Sequence, residues 1–124
     1  MTAEWTIEQW VEHGRKWVRA GWTWAPGQIA IASWPNGDET EYEICIVPWG
    51  GFKVLDNVVP DLRNPGTRGH ALDQVREAWN RPSISTKHHP VLGWIVKDGA
   101  DDFLKSVACD TEHEALLAAR EAAP

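Results

Sequence analysis

The apolar positions of the chain change period along its length, and each change marks an element. Over 7–20, Ile7, Trp10, Val11, Gly14, Trp17 and Val18 recur at helical spacing, while Glu8, Glu12, His13, Arg15, Lys16 and Arg19 turn away. Thr6 and Gln9 bracket the start as a capping box, and Trp5 and Trp10 sit where a hydrophobic staple sits. Glu12 and Lys16 form a favourable i,i+4 pair. Gly14 costs helix propensity on the apolar stripe, which predicts close approach to a sheet. Gly21 is placed to end the helix at the C′ position.

The period then shortens to two. Residues 28–34 alternate, and 41–47 alternate again, with Tyr42, Ile44 and Ile46 on one face and Glu41, Glu43, Cys45 and Val47 on the other. Between them, Pro35-Asn36-Gly37-Asp38 carries the Asn-Gly hairpin signal. Residues 52–55 read as a third strand, and 56–69, with Pro60, Pro65, Gly66 and Gly69, as an irregular loop. A second helix is predicted over 70–80, with Ala71, Leu72, Val75, Ala78 and Trp79 on one face and Arg81-Pro82 as its stop. Residues 81–90 read as a polar loop closing with His88-His89-Pro90. A second hairpin follows, 91–97 and 102–109 about a turn at 98–101. The last helix is predicted over 112–122, behind a second capping box, Thr111-x-x-Glu114.

These elements fall in the order α-β-β-(β)-α-β-β-α. The expected class is α+β, a mainly antiparallel sheet with helices packed on one face and the other face left to water or a partner. The length of 124 residues predicts a single domain over 1–124. The segment MTAEWTIEQW carries Glu4 and Glu8 and lacks an apolar h-region, so no signal peptide is expected. No apolar run reaches membrane-spanning length. Cys45 and Cys109 lie in predicted strands and are expected as free thiols, a disulfide between adjacent strands being the alternative. The expected setting is cytoplasmic, with no membrane association.

Composition changes the picture at one point. Nine tryptophans stand against two Phe and one Tyr. A chain of this size cannot fully bury so many large rings, so some should sit half-exposed. Trp10, Trp17, Trp79 and Trp94 lie on apolar periodicities and are expected in the core. Trp22, Trp24, Trp34 and Trp49 lie in turns or at strand ends and are the aromatic candidates for partner binding.

Net charge is −6 and unevenly placed. Residues 38–62 hold six acids against Lys53, and 98–114 hold six against Lys105. The 63–87 segment and the Arg15–Lys16–Arg19 face carry the clustered bases, and both read as mixed solvated surface. Direct nucleic-acid binding is therefore not expected. Asp38, Glu39, Glu41 and Glu43 make the first hairpin an acidic one, a shape and charge suited to a basic groove on another protein.

Candidate chemistry is sparse. His88-His89 is the one histidine cluster, and no Cys-x-x-Cys or His-Glu-x-x-His spacing accompanies it. His113-Glu114 runs into Ala115-Leu116-Leu117 and breaks the zincin pattern. No serine has a Gly-x-Ser-x-Gly context, neither cysteine has electropositive neighbours, and no glycine loop matches a phosphate cradle. Asp98-Gly99-Ala100-Asp101-Asp102 lacks the downstream Glu of a calcium loop. No catalytic residue, metal or cofactor is assigned. The expected function is a non-enzymatic protein-interaction module, an acidic inhibitor or antagonist of the phage anti-defence or immunity-protein type. It would act through Trp22, Trp24, Trp34, Trp49, Asp38, Glu39, Glu41 and Glu43. The alternative is a small-molecule-binding domain or small hydrolase, with a tryptophan-lined pocket and His88 or His89 as its polar group.

Overall fold

The computed structural model describes residues 4–48, 57–99, 102–103 and 109–124, with Asp102 and Phe103 described for their backbone. By contact the chain divides into two compact units, Glu4–Thr67 and Arg68–Pro124. Among the described residues each holds one three-stranded antiparallel sheet, so the strands are shared between two sheets where the periodicity alone suggests one. The α+β class holds. Among the described residues no helix is long and apolar enough to cross a membrane.

In the first unit, α1 spans Ile7–Arg19 and is bounded by local signals at both ends. The Thr6 hydroxyl accepts from the Gln9 backbone N–H at 3.3 Å, and the Thr6 N–H donates to Gln9 Oε1 at 2.7 Å. The staple closes with the Trp5 and Trp10 ring centroids 4.9 Å apart. At the other end Gly21 takes φ +98. Its N–H bonds Val18 C=O at 3.1 Å, and the Trp22 N–H bonds Trp17 C=O at 3.1 Å. That pair of bonds is a complete Schellman motif, and the apolar contact that accompanies such motifs is here the Trp17–Trp22 ring pair, centroids 5.4 Å apart.

Strands β1 (Ile29–Asn36), β2 (Glu39–Ile46) and β3 (Val58–Pro60) form a sheet in the order β2-β1-β3. The third strand expected at 52–55 lies outside the described residues, and β3 falls in the stretch whose Pro and Gly content predicts a loop. One face of the sheet carries α1, with Val11, Ile31 and Val59 buried together and Ile7, Trp10 and Tyr42 packed around them. The other face is small: Ala30, Ala32 and Val58, with Trp24 and Cys45 against them.

Gly14 is the point of closest approach. A Cβ there would stand 2.8 Å from the Pro60 carbonyl oxygen and 2.8 Å from Val59 Cβ. The carbonyl belongs to a paired strand and cannot rotate away. Gly14→Ala would gain about 1 kcal/mol of helix propensity and lose about 1–3 kcal/mol to overpacking. We expect net destabilisation, seen as a lower urea midpoint at unchanged slope.

Five of the nine tryptophans line up along α1 and the link after it. Trp5 and Trp10 flank His13 at 5.4 and 6.2 Å, His13 Nε2 accepts from Trp17 Nε1–H at 3.1 Å, and Trp22 and Trp24 continue the series at 5.4 and 6.3 Å. His13, read from helical spacing as outward, is 4% exposed, because the staple folds Trp5 and Trp10 over it.

Helix α2 runs Pro65–Trp79, its first three residues in the first unit and the rest in the second, and starts upstream of the expected residue 70. Asn64 Oδ1 accepts from the Thr67 N–H at 3.0 Å, which makes Asn64 the cap and Pro65 the first helical residue, both favoured positions. Asn80, at φ +54, closes the far end. Strands β4 (Ile84–His89), β5 (Gly93–Asp98) and β6 (Asp102–Phe103) pair in the order β4-β5-β6. β4 occupies what the polar sequence predicts as a loop, while 104–108 of the expected last strand lie outside the described residues. α3, Glu112–Glu121, packs on β5 and β4. Thr111 caps it by accepting from the Glu114 N–H at 3.3 Å. Glu114 does not complete a capping box: its carboxylate accepts from the Thr111 hydroxyl at 2.7 Å instead. Trp79 Nε1–H is satisfied by the Ala119 carbonyl at 2.8 Å.

Candidate functional site

The β1–β2 hairpin brings the acidic residues and one tryptophan onto one face. Its connection is the pair Gly37–Asp38, one residue later than Asn-Gly suggests. Gly37 takes φ +66 and Asp38 does not, the φ signs of a type II′ turn. The register then places Asn36 opposite Glu39, Trp34 opposite Glu41 and Ala32 opposite Glu43. Residues directly opposite in an antiparallel pair share a face, so Trp34, Glu39, Glu41 and Glu43 all project to the side carrying Ala30 and Ala32. Asp38 sits in the turn at the end of that face.

Trp34 is 36% exposed and Glu39, Glu41 and Glu43 are exposed. Asn36 Nδ2 donates to Glu41 Oε1 at 2.6 Å and orients that carboxylate beside the indole. No Lys or Arg occurs in sequence between Arg19 and Lys53. Among the described residues none of the four hairpin acids forms an ion pair. Other acids of the same unit are neutralised: Glu12 meets Arg15 and Arg19 at 3.4 and 3.3 Å, and Asp61 takes two Arg63 N–H bonds at 2.9 Å. Among the described residues the hairpin is thus a patch of negative charge without an ion-pair partner, around a half-exposed indole.

The other tryptophan candidates separate. Trp24 is half-buried against Ala30, Ala32 and Val58 and belongs to the same face. Trp22 is 8% exposed, and its indole N–H donates to Oε1 of the buried Gln28 at 3.2 Å, so it is a core ring. Gln28 Nε2 in turn holds the Thr23 carbonyl at 3.2 Å and fixes the link. Trp49 lies outside the described residues.

His88 and His89 have local partners. The exposed His88 lies beside Trp94 with ring centroids 5.4 Å apart. His89 Nδ1 accepts from the Val91 and Leu92 N–H groups at 3.1 and 3.0 Å, which is the work of a turn cap. His113 is 6% exposed, and burial together with the Arg68 guanidinium pushes its imidazole down to about 4. Burial pushes both thiols up, with Glu43 adding at Cys45 and Glu114 and Asp110 at Cys109. A raised thiol is a poor nucleophile at neutral pH. Both cysteines are free and partly buried. Among the described residues no three His, Cys, Asp or Glu side chains converge as a metal site requires.

An open groove of ≈ 240 Å³ lies along α1, lined by Trp5, Gln9, Glu12, His13 and Lys16. The sequence pattern gives no sign of it, because the pattern turns His13 to solvent. His13 Nε2 is already the acceptor for Trp17, so that nitrogen is not available as a base. Comparison with protein-family models, with curated proteins and with solved structures found no match to this chain.

Proposed function

We propose that this chain is a non-enzymatic interaction module, an acidic antagonist that engages a basic surface of another protein through the β1–β2 hairpin. The observation that carries the reading is the exposed face on which Glu39, Glu41 and Glu43 surround Trp34, with Asp38 in the turn at its end and none of the four in an ion pair among the described residues. A partner's Lys and Arg side chains would meet these charges without first breaking an ion pair among the described residues. Trp34, with Trp24 beside the small face, would supply the apolar anchor that such an interface needs at its centre. The two free thiols support a reducing, cytoplasmic setting.

The test is capture from the native host by two baits, the wild-type chain and Glu41→Lys/Glu43→Lys. Both positions are exposed strand residues, so the variant should keep its stability. A protein captured by the wild type and lost by the variant is the expected result. A partner retained equally by both would refute the acidic face as the binding surface.

A further inference from the structure

Strand β2 lies at the edge of its sheet. The sheet order leaves β1 on one side of it and, among the described residues, no strand on the other. The ladder tells which of its backbone groups point away from β1. Val47 N–H bonds Gln28 C=O at 2.9 Å, and the two-residue turn closes on the Asn36–Glu39 pair, so the odd residues of β2 exchange their bonds with β1. The N–H and C=O groups of Thr40, Tyr42, Ile44 and Ile46 therefore point outward along the edge.

Two of the side chains beside those groups, Ile44 and Ile46, are apolar and exposed. α1 covers Ile31 and reaches Tyr42, but Ile44 is 50% exposed and Ile46 is 65% exposed on the same face. Large exposed aliphatics next to an unpaired ladder mark a site for strand addition. Proteins usually blunt such an edge with Pro, Lys or a bulge, and Glu39–Ile46 contains neither Pro nor Lys.

Charge decides the occupant. A second copy pairing antiparallel through β2 would set the glutamate face against itself, and like charges directly opposite destabilise a ladder. A strand with Lys or Arg at alternate positions would meet Glu39, Glu41 and Glu43 with opposite charge. Those positions would be non-hydrogen-bonded pairs, where side chains approach most closely. Its intervening residues would lie against Tyr42, Ile44 and Ile46.

Resting on the acidic-face reading above, we propose that the partner segment is an extended strand of alternating basic and aliphatic residues, which adds antiparallel to the outer edge of β2.

The probe is a capped synthetic peptide of about eight residues alternating Lys or Arg with Val or Ile. It is compared with a scrambled peptide of the same composition. Fluorescence anisotropy of a labelled peptide should show the alternating form binding about tenfold tighter or more. N-methylation at the aliphatic residues, whose N–H groups face β2, should abolish that binding. N-methylation at the basic residues should leave it in place. Glu41→Lys/Glu43→Lys should lose the basic peptide and gain one with Glu at the basic positions.

Equal binding of the alternating and scrambled peptides, or indifference to which amides are methylated, would overturn strand addition. If the charge reversal still weakened binding in that case, the acidic-face reading would survive alone. No binding of either peptide would also overturn the proposal. So would a stable dimer in sedimentation velocity that the peptide fails to dissociate, since a second copy would then hold the edge.

Discussion

Trp17→Ala is expected to lower stability by about 3–5 kcal/mol, the cost of emptying a large aromatic site in a core. Trp17 is completely buried and sits at the middle of the aromatic series. Its indole N–H satisfies His13 Nε2, and its ring packs on Trp22, which the Schellman motif brings to it. Truncation would leave a cavity and also remove the buried Trp17–His13 hydrogen bond, and each adds to the loss. Trp17→Phe keeps part of the ring volume and loses only the N–H, so it should cost distinctly less. Urea denaturation of the three chains checks the order. An unchanged midpoint for Trp17→Ala would mean that the ring is not in the core.

Stability should also fall by about 3 kcal/mol on acidification from pH 7 to pH 4, through His113 alone. The ring is 6% exposed, and its pKa is lowered from 6.5 to about 4 by burial first and Arg68 second. Thr111 explains which neutral form is held. Its hydroxyl donates to Glu114 Oε1 at 2.7 Å, so its oxygen faces His113 Nε2, at 3.1 Å, as an acceptor. The neutral ring therefore carries its proton on Nε2. Between the folded and unfolded pKa values the unfolded chain binds the extra proton, so stability rises with pH there. The His113 contribution is complete above 6.5 and gone below about 4. Urea midpoints at intervals across this range should fall steeply for the wild type. His113→Gln should remove most of that slope while leaving the pH dependence of the carboxylates. Parallel pH profiles for the two chains would contradict the assignment.

The features legible in the sequence were those set within a few residues. Thr6 with Gln9, Trp5 with Trp10, and Gly21 each act through contacts two to five positions away, and all three occur as their spacing implies. Part of the acidic face was legible for the same reason, since a period of two puts Glu41 and Glu43 together whatever the strand pairs with, while Glu39 joins them because β2 starts two residues before the expected 41. What could not be read was set by distant partners. β3 is three residues long, too short for any periodicity, and exists because Ala30–Ala32 pair with it. β4 is Ile-Ser-Thr-Lys-His-His, polar enough to read as loop, and becomes a strand through its ladder with β5. The edge position of β2 follows from β3 taking the other side of β1, so it was invisible too.

Two positions carry local signals stronger than the pattern around them. Asn64-Pro65 is a cap followed by the residue favoured at the first helical position, and it outweighs Gly66 and Gly69, which suggest a loop. Trp22 follows the helix-ending Gly21, and that position ordinarily packs back on the last turn, which is where its ring lies.

The central claim is that the hairpin acids draw a basic partner to this chain and that Trp34 holds it there. Surface-plasmon kinetics at two ionic strengths, on the partner captured by the wild-type bait, tests it most directly. The association rate should fall as salt rises, while the dissociation rate changes little. Glu41→Lys/Glu43→Lys should slow association and flatten its salt dependence. Trp34→Ala should act on dissociation, raising it by an amount worth about 2 kcal/mol or more. An association rate indifferent to salt, together with charge reversal that leaves it unchanged, would contradict the account.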